Sequence, residues 1–272
     1  MANQLEFNSE IIGDGTPIVF LHHWSGNLLY EKKLWEPLFA DRPGWQRIYF
    51  DLPGHGRTPV PGSITDLDGL LDAIWSHIDD LTKGQPFALT GTSLSGYLAR
   101  GILHQHPARV LGLAGIVPVA GTAFDKRDRP EFAPLIVEKS ALDFLAEKDL
   151  SDLTQAYVAQ TEEDMRHAVE FEELEIPADF DFLNAIRSDP QRFTLSFDVD
   201  DVAAPFAGPS LFVMGRQDNV VGYRDQWAFL ENFPRASFAV LDRTGHAAFI
   251  EQETLVRQLA GEWLDRVRES SG

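Results

Sequence analysis

A mostly parallel central β-sheet with helices on both faces, an α/β architecture interrupted by an inserted helical cap, is the fold that three observations predict. Short β-rich runs alternate with helical periods up to about residue 121. The alternation then stops, and residues 122–205 become helix-rich and acidic, punctuated by Pro130, Pro134, Pro177 and Pro190. Beyond them the strand pattern returns. The expected division is therefore a core of residues 1–121 and 206–272 with a cap, or lid, of residues 122–205. At 272 residues, 44% of them hydrophobic, the chain is long enough to bury one large core and carry an insertion.

Taken in order, residues 5–12, the Gly13-Asp14-Gly15 turn and the run from Pro17 onward read as an N-terminal hairpin. Residues 17–22, 47–51, 86–91 and 110–117 are short apolar runs bounded by turn residues, the mark of strands. Between the second and third, Leu67, Leu70, Leu71, Ile74, Trp75, Ile78 and Leu81 form one stripe at helical spacing. Thr65 with Asp68 is placed to cap its start and Gly84 to stop it. After the insertion come strands at 210–214 and 237–241 with a helix at 222–232 between them. A final helix carries Leu255, Val256, Leu259, Trp263, Leu264 and Val267, and residues 269–272 are expected to fray.

Composition removes several classes of function. Lys plus Arg number 23 against 42 Asp plus Glu, a formal charge of -19, and residues 122–205 alone carry -13 of it. Such a surface repels the phosphate backbone that dominates nucleic-acid affinity, so no nucleic-acid partner is expected. The longest nearly unbroken apolar run, residues 110–120, falls short of the roughly 20 that span a bilayer. Residues 1–10 have neither a basic flank nor an apolar stretch. The expectation is a soluble, cytoplasmic protein without membrane association and, with no cysteine, without disulfides. No sequence feature bears on its oligomeric state.

The run Phe87-Ala-Leu-Thr-Gly91-Thr-Ser93-Leu94-Ser95-Gly96 is an apolar strand, a turn of small residues and the start of a helix. A serine at so sharp an elbow needs small neighbours two residues to either side, because the backbone bends until Cβ atoms there would collide. Gly91 and Ser95 meet that need around Ser93, whereas Ser95 itself would have the bulky Tyr97 in one of those places. A Gly/Ser turn is by itself a common connection, and a dinucleotide-binding turn would need glycine where Ser93 stands. An acid and a histidine follow, Asp218 and His246, each just past the end of a later strand. Carboxyl ends of parallel strands share one edge, so all three side chains can converge there. The chemistry asks for these types: a hydroxyl becomes nucleophilic when a base takes its proton, and a carboxylate holds that base in the useful tautomer.

On these motifs the chain resembles the α/β-hydrolase fold family over nearly its whole length. Ser93 resembles the family's nucleophile, Asp218 its acid and His246 its late histidine, in the family's chain order. Residues 21–26, Leu-His-His-Trp-Ser-Gly, resemble its oxyanion loop, and residues 51–58 its loop after the following strand. The resemblance implies that the backbone N–H groups of Trp24 and Leu94 form the oxyanion hole, each such donor being worth about 100- to 1000-fold in turnover. Two departures stand out: His22-His23 replaces the family's usual His-Gly, and Ser95 replaces the elbow's usual glycine.

The expected function is a serine hydrolase, carboxylesterase-like, cleaving a small ester or related acyl compound, with cleavage of a carbon–carbon bond as a variant. The expected partner is a small, apolar or neutral substrate. A cofactor-free oxygenase or peroxidase-like activity and a small-ligand binding protein are the rivals on the same scaffold. His22 is expected to be a buried support of the oxyanion loop, and His23 is a candidate to line the pocket. His55 reads as structural or solvated, and His77, His104, His106 and His167 as packing or surface residues. Asp125 is the runner-up acid. No His, Asp or Glu grouping has metal-ligand spacing, so neither metal nor cofactor is expected. Aromatic residues of the insertion, among them Phe124, Phe144, Tyr157, Phe171 and Phe182, are expected to be its own core or to shield a pocket.

Overall fold

The structure, a computed structural model, describes residues 5–174 and 176–271. Along the first half run β1 (Ser9–Ile12), β2 (Thr16–Leu21), α1 (Leu28–Trp35), β3 (Trp45–Phe50), α2 (Leu67–Thr82), β4 (Phe87–Thr92), α3 (Leu94–Gln105) and β5 (Val110–Ile116). Then come β6 (Ile136–Val137), α4 (Lys139–Glu147), β7 (Ala159–Gln160), α5 (Glu162–Glu172) and α6 (Phe180–Arg187). The chain closes with β8 (Ser210–Gly215), β9 (Ala236–Leu241), α7 (Ala248–Glu251) and α8 (Glu253–Ser271). Strands β6 and β7 form a small parallel pair of their own, separate from the main sheet.

The main sheet has the order β1-β3-β2-β4-β5-β8-β9, and among the described residues every neighbouring pair but β1–β3 is parallel. Parallel neighbours need crossovers, which α1, α2 and α3 supply in the first half. The N-terminal hairpin is corrected here: β1 does not pair with β2. Strand β3 lies between them, with Ser9 opposite Phe50 and Ile12 opposite Arg47. Both edges of β2 are taken by parallel partners, β3 and β4, so β1 finds its ladder on the free edge of β3.

The N-cap of helix α2 lies one residue later than the expected Thr65. Asp66 is the N-cap, its carboxylate accepting from the Gly69 N–H at 2.8 Å. Asp68 instead accepts from the N–H and hydroxyl of Ser196, each at 3.1 Å, and so ties α2 to the long segment beyond β5. Lys83 ends the helix in the left-handed region, directly before the Gly84 expected to stop it. The helix expected at 222–232 is a 3-10 helix over Asp225–Asn232. At the C-terminus α8 stays helical through Ser271, beyond the point where fraying was expected, and Gly272 lies outside the described residues.

One connected apolar core joins these layers, and Met165, Phe171, Leu195 and Val199 of the segment 122–205 belong to it together with the sheet strands. Burying a large apolar side chain contributes about 1.5–3 kcal/mol, so sheet and segment stabilise each other. No helix among the described residues is long and apolar enough to cross a membrane.

The sheet order also creates the site. From β2 the chain moves outward to β3, then returns across β2 to lay β4 on its other side. At such a switch point the loops leaving adjacent carboxyl ends part in opposite directions and open a crevice. Leu21, the last residue of β2, pairs with Gly91 next to the end of β4, so the loops carrying Trp24 and Ser93 start side by side.

Candidate active site

Ser93 stands at the junction of β4 and α3 with φ 57° and ψ -121°, a conformation costly to a side chain by about 1–3 kcal/mol and kept only where surroundings enforce it. Three backbone bonds enforce it. Ser93 N–H donates to the Ile116 carbonyl, and its own carbonyl accepts from Gly96 and Val119, each at 3.0 Å. Gly91 is required by close approach, since a Cβ there would lie 2.2 Å from the Ser95 carbonyl oxygen. Ser95, the substitute for the usual glycine, is buried, and its hydroxyl donates to the His22 carbonyl. The substitution thus ties the elbow to the loop after β2, a contact the sequence did not announce.

His246 and Asp218 meet Ser93 from the ends of β9 and β8. His246 Nδ1 lies 2.8 Å from Asp218 Oδ2, and its Nε2 lies 3.0 Å from Ser93 Oγ. An ionised carboxylate only accepts, so Nδ1 carries the proton and Nε2 presents its lone pair to the Ser93 hydroxyl, which donates. Asp218 is fully buried, and its other oxygen accepts from the Val220 and Val221 N–H groups at 2.8 and 2.9 Å. The acid is thereby aimed by its own loop. Asp125, the runner-up, is exposed on the cavity wall, and among the described residues the carboxylate bonded to His246 is that of Asp218.

Trp24 and Leu94 line the same cavity as Ser93 and His246, and neither backbone N–H meets a protein acceptor among the described residues. Leu94 is the first residue of α3, where an N–H has no partner within the helix. The loop carrying Trp24 is braced by His22, which is buried. Its Nε2 accepts from Leu52 N–H at 2.9 Å, which leaves Nδ1–H to donate to the His23 carbonyl at 2.8 Å. Burial, and then the nearby His55, hold the His22 pKa well below the ordinary imidazole value, so it stays neutral in that tautomer.

His23, in place of the family's glycine, lines the cavity. Its ring packs edge-on to Tyr30 at 4.6 Å and over Gly26, where a Cβ would lie only 2.5 Å from Cε1. The loop accepts a side chain at 23 because it has none at 26. Burial, then His246 and His55, lower the His23 pKa to about 3 and keep it uncharged beside the catalytic candidates. His55 is buried between Trp24 and His22, at 5.2 and 5.1 Å between ring centres, and is structural rather than solvated. His77 stacks on Phe7, His104 on Phe197 and His106 on Trp75, while His167 lies beside Phe171, all packing roles.

The cavity measures about 590 Å³, and the segment 122–205 forms much of its wall with Thr122, Phe124, Phe193 and two arginines, Arg127 and Arg187. The arginines escaped the sequence reading, although Lys126, Arg127 and Arg129 concentrate three of that acidic segment's eight basic residues in four positions. Glu251 also went unnoticed. It is buried, its Oε1 accepting from Val158 and Ala159 N–H at 2.6 and 3.2 Å and its Oε2 from Gly245 N–H at 2.5 Å. One carboxylate therefore joins the histidine's loop to β7, and burial raises its pKa to about 7 despite those three donors. Among the described residues no group of three or more His, Asp or Glu side chains is placed to hold a metal ion.

A family model described as the alpha/beta hydrolase fold matches residues 16–253. Over 264 residues the chain is 22% identical to the pimeloyl-(acyl-carrier protein) methyl ester esterase of Legionella pneumophila (strain Lens), covering 93% of this chain and 96% of that one. It is 24% identical over 265 residues to the AB hydrolase superfamily protein YisY of Bacillus subtilis (strain 168), covering 93% of each. Among solved structures, an alpha/beta superfamily hydrolase from Oenococcus oeni PSU-1 matches with a TM-score of 0.83 at 25% identity over 96% of both chains. A family match across most of the length, on a sheet of this order, makes the chain an enzyme of the α/β hydrolase fold family.

Proposed function

We propose that the protein is a serine hydrolase that cleaves a small ester or related acyl compound through an acyl-enzyme on Ser93. The observation that carries the reading is the hydrogen-bonded line from Asp218 through His246 to Ser93, the last two lining one cavity. In this reading Ser93 Oγ attacks the carbonyl carbon while its proton passes to His246 Nε2, and buried Asp218 stabilises the imidazolium. The carbonyl electrons move to oxygen, where the N–H groups of Trp24 and Leu94 receive the charge. The imidazolium then returns the proton to the leaving alkoxide, the alcohol departs, and water deprotonated by His246 releases the acid and restores Ser93. Residues 122–205 act as the cap, with their Phe124 and Phe193 walling the substrate in. The methyl ester esterase among the relatives agrees with an ester substrate.

A series of 4-nitrophenyl esters of graded acyl length tests the reading, with Ser93→Ala as the blank. Turnover with an optimum at one chain length, absent from the blank, is the expected result. Equal rates in wild type and blank would rule the mechanism out.

A further inference from the structure

Resting on the hydrolase reading above, we propose that the cavity selects an anionic ester, one whose acyl or alcohol part ends in a carboxylate held between the guanidiniums of Arg127 and Arg187. Both side chains line the cavity that contains Ser93 and His246. They are close enough that burial, followed by the charges of Arg187 and Arg129, lowers the Arg127 pKa, with Asp218 and Asp225 opposing. Two like charges facing one cavity repel each other, and an anion between them removes that cost. Among the described residues neither Arg127 nor Arg187 forms an ion pair with a carboxylate, and both line the cavity that holds Ser93.

The two differ in how they are held. Arg127 Nε donates to the Gly121 carbonyl at 3.1 Å and Nη1 to the Val220 carbonyl at 3.2 Å, which fixes the fork and leaves Nη2 without a protein acceptor among the described residues. Arg187 is exposed and meets no protein acceptor among the described residues, so its donors are held only by solvent until a ligand displaces it. Its place as the last residue of α6 suits the helix dipole, which accounts for a cation there but not for its facing the cavity beside Arg127. Asp125 is the carboxylate among the lining residues, and His23 is neutral, so the charged lining side chains sum to one positive charge, with Asp218 and Asp225 also acting on Arg127. That matches a single carboxylate better than a dianion. The lining also includes Trp24, Val119, Phe193 and Val220, apolar groups that suit the chain between ester and carboxylate. The sequence led to the expectation of an apolar or neutral substrate, whereas the cavity lining carries charge of its own.

Two matched pairs test the inference and locate the carboxylate: mono-4-nitrophenyl glutarate against 4-nitrophenyl valerate for the acyl side, and 4-carboxyphenyl valerate against 4-methylphenyl valerate for the alcohol side. The readout is the charged-to-neutral ratio of kcat/KM in wild type divided by that in Arg187→Gln, with Ser93→Ala subtracted as the blank, so intrinsic reactivity cancels. A quotient of about tenfold or more in one pair is expected, and a smaller fall in Arg127→Lys than in Arg127→Gln, because lysine keeps the charge. Quotients near one in both pairs overturn the proposal. Binding is measured separately by titrating mono-4-nitrophenyl glutarate and 4-carboxyphenyl valerate into Ser93→Ala and into Ser93→Ala with Arg187→Gln. Affinity for one of them about tenfold weaker in the second protein supports the site even if wild type hydrolyses nothing, a result that would defeat the hydrolase reading alone. Equal affinity in the two proteins, or no binding of either ester to the first, counts against the site itself.

Discussion

The carboxyl edge of the sheet and the segment 122–205 meet at the same cavity, yet they are built on opposite principles. At the edge, each candidate catalytic side chain sits within a few residues of a strand end and is fixed by its own loop: Ser93 by three backbone bonds, Asp218 by the Val220 and Val221 N–H groups. The segment has two-residue strands and short helices, and it contributes walls and charges through side chains such as Phe193, Arg127 and Arg187. Ladder hydrogen bonds hold the first region in register, while packing and ion pairs place the second. The candidate catalytic groups are therefore held where the backbone leaves least freedom, and the rest of the cavity wall is supplied where side chains can vary without disturbing them.

The comparison breaks first at the triad. If the three act as one unit, Ser93→Ala or His246→Ala should lower ester turnover by up to about a million-fold and leave little for a second substitution to remove. Additive losses in the double variant would show that they do not. Asp218→Asn should cost about ten-thousand-fold, because the amide favours the wrong imidazole tautomer. Unchanged turnover in that variant would pass the acid's role to Asp125.

A smaller effect tests how the loop after β2 accepts His23. Gly26→Ala places a Cβ where the imidazole lies, so the loop or the ring must move, and turnover should fall about ten- to a hundred-fold. In a His23→Ala background the same substitution should cost almost nothing. A cost that persists there would mean Gly26 serves the backbone and not the ring.

The smallest effect concerns the seam between the two regions. Glu251 has a folded pKa near 7 against an ordinary value of 4.5, so between those pH values the native state holds a proton that the unfolded chain has released. Its contribution makes stability fall as pH rises through that window and level off above it. Glu251→Gln removes the contribution, so variant stability relative to wild type should rise with pH from about 4.5 to about 7, by no more than about 1.4 kcal/mol per pH unit. Urea unfolding of both proteins across pH 4–8 measures it, and shifts from His23 and His55 cancel in the difference. A difference independent of pH would contradict the assignment.

The same contrast governs what could be read in advance. Strands β2 to β5, β8 and β9 were legible within one or two residues because each is a local apolar run between turn residues. The elbow was legible because steric demand at Gly91 and Ser95 is local too. The partner of β1 was not, since it depends on which edges of β2 remain free. Nor were the bonds from Ser95 to His22, from Asp68 to Ser196 and from Glu251 to Val158, which join residues brought together only by the finished fold. Arg127 and Arg187 are 60 positions apart, and their shared cavity follows from how α6 folds back, which no local pattern encodes.

A fluorophosphonate probe followed by peptide mapping reads whether His246 activates Ser93, since the reagent reacts fastest with a hydroxyl whose proton a base can take. One mass addition is expected, on the peptide containing Ser93, at a rate that collapses in His246→Ala. Labelling at another residue, no labelling of the folded protein, or equal rates in wild type and His246→Ala would contradict it.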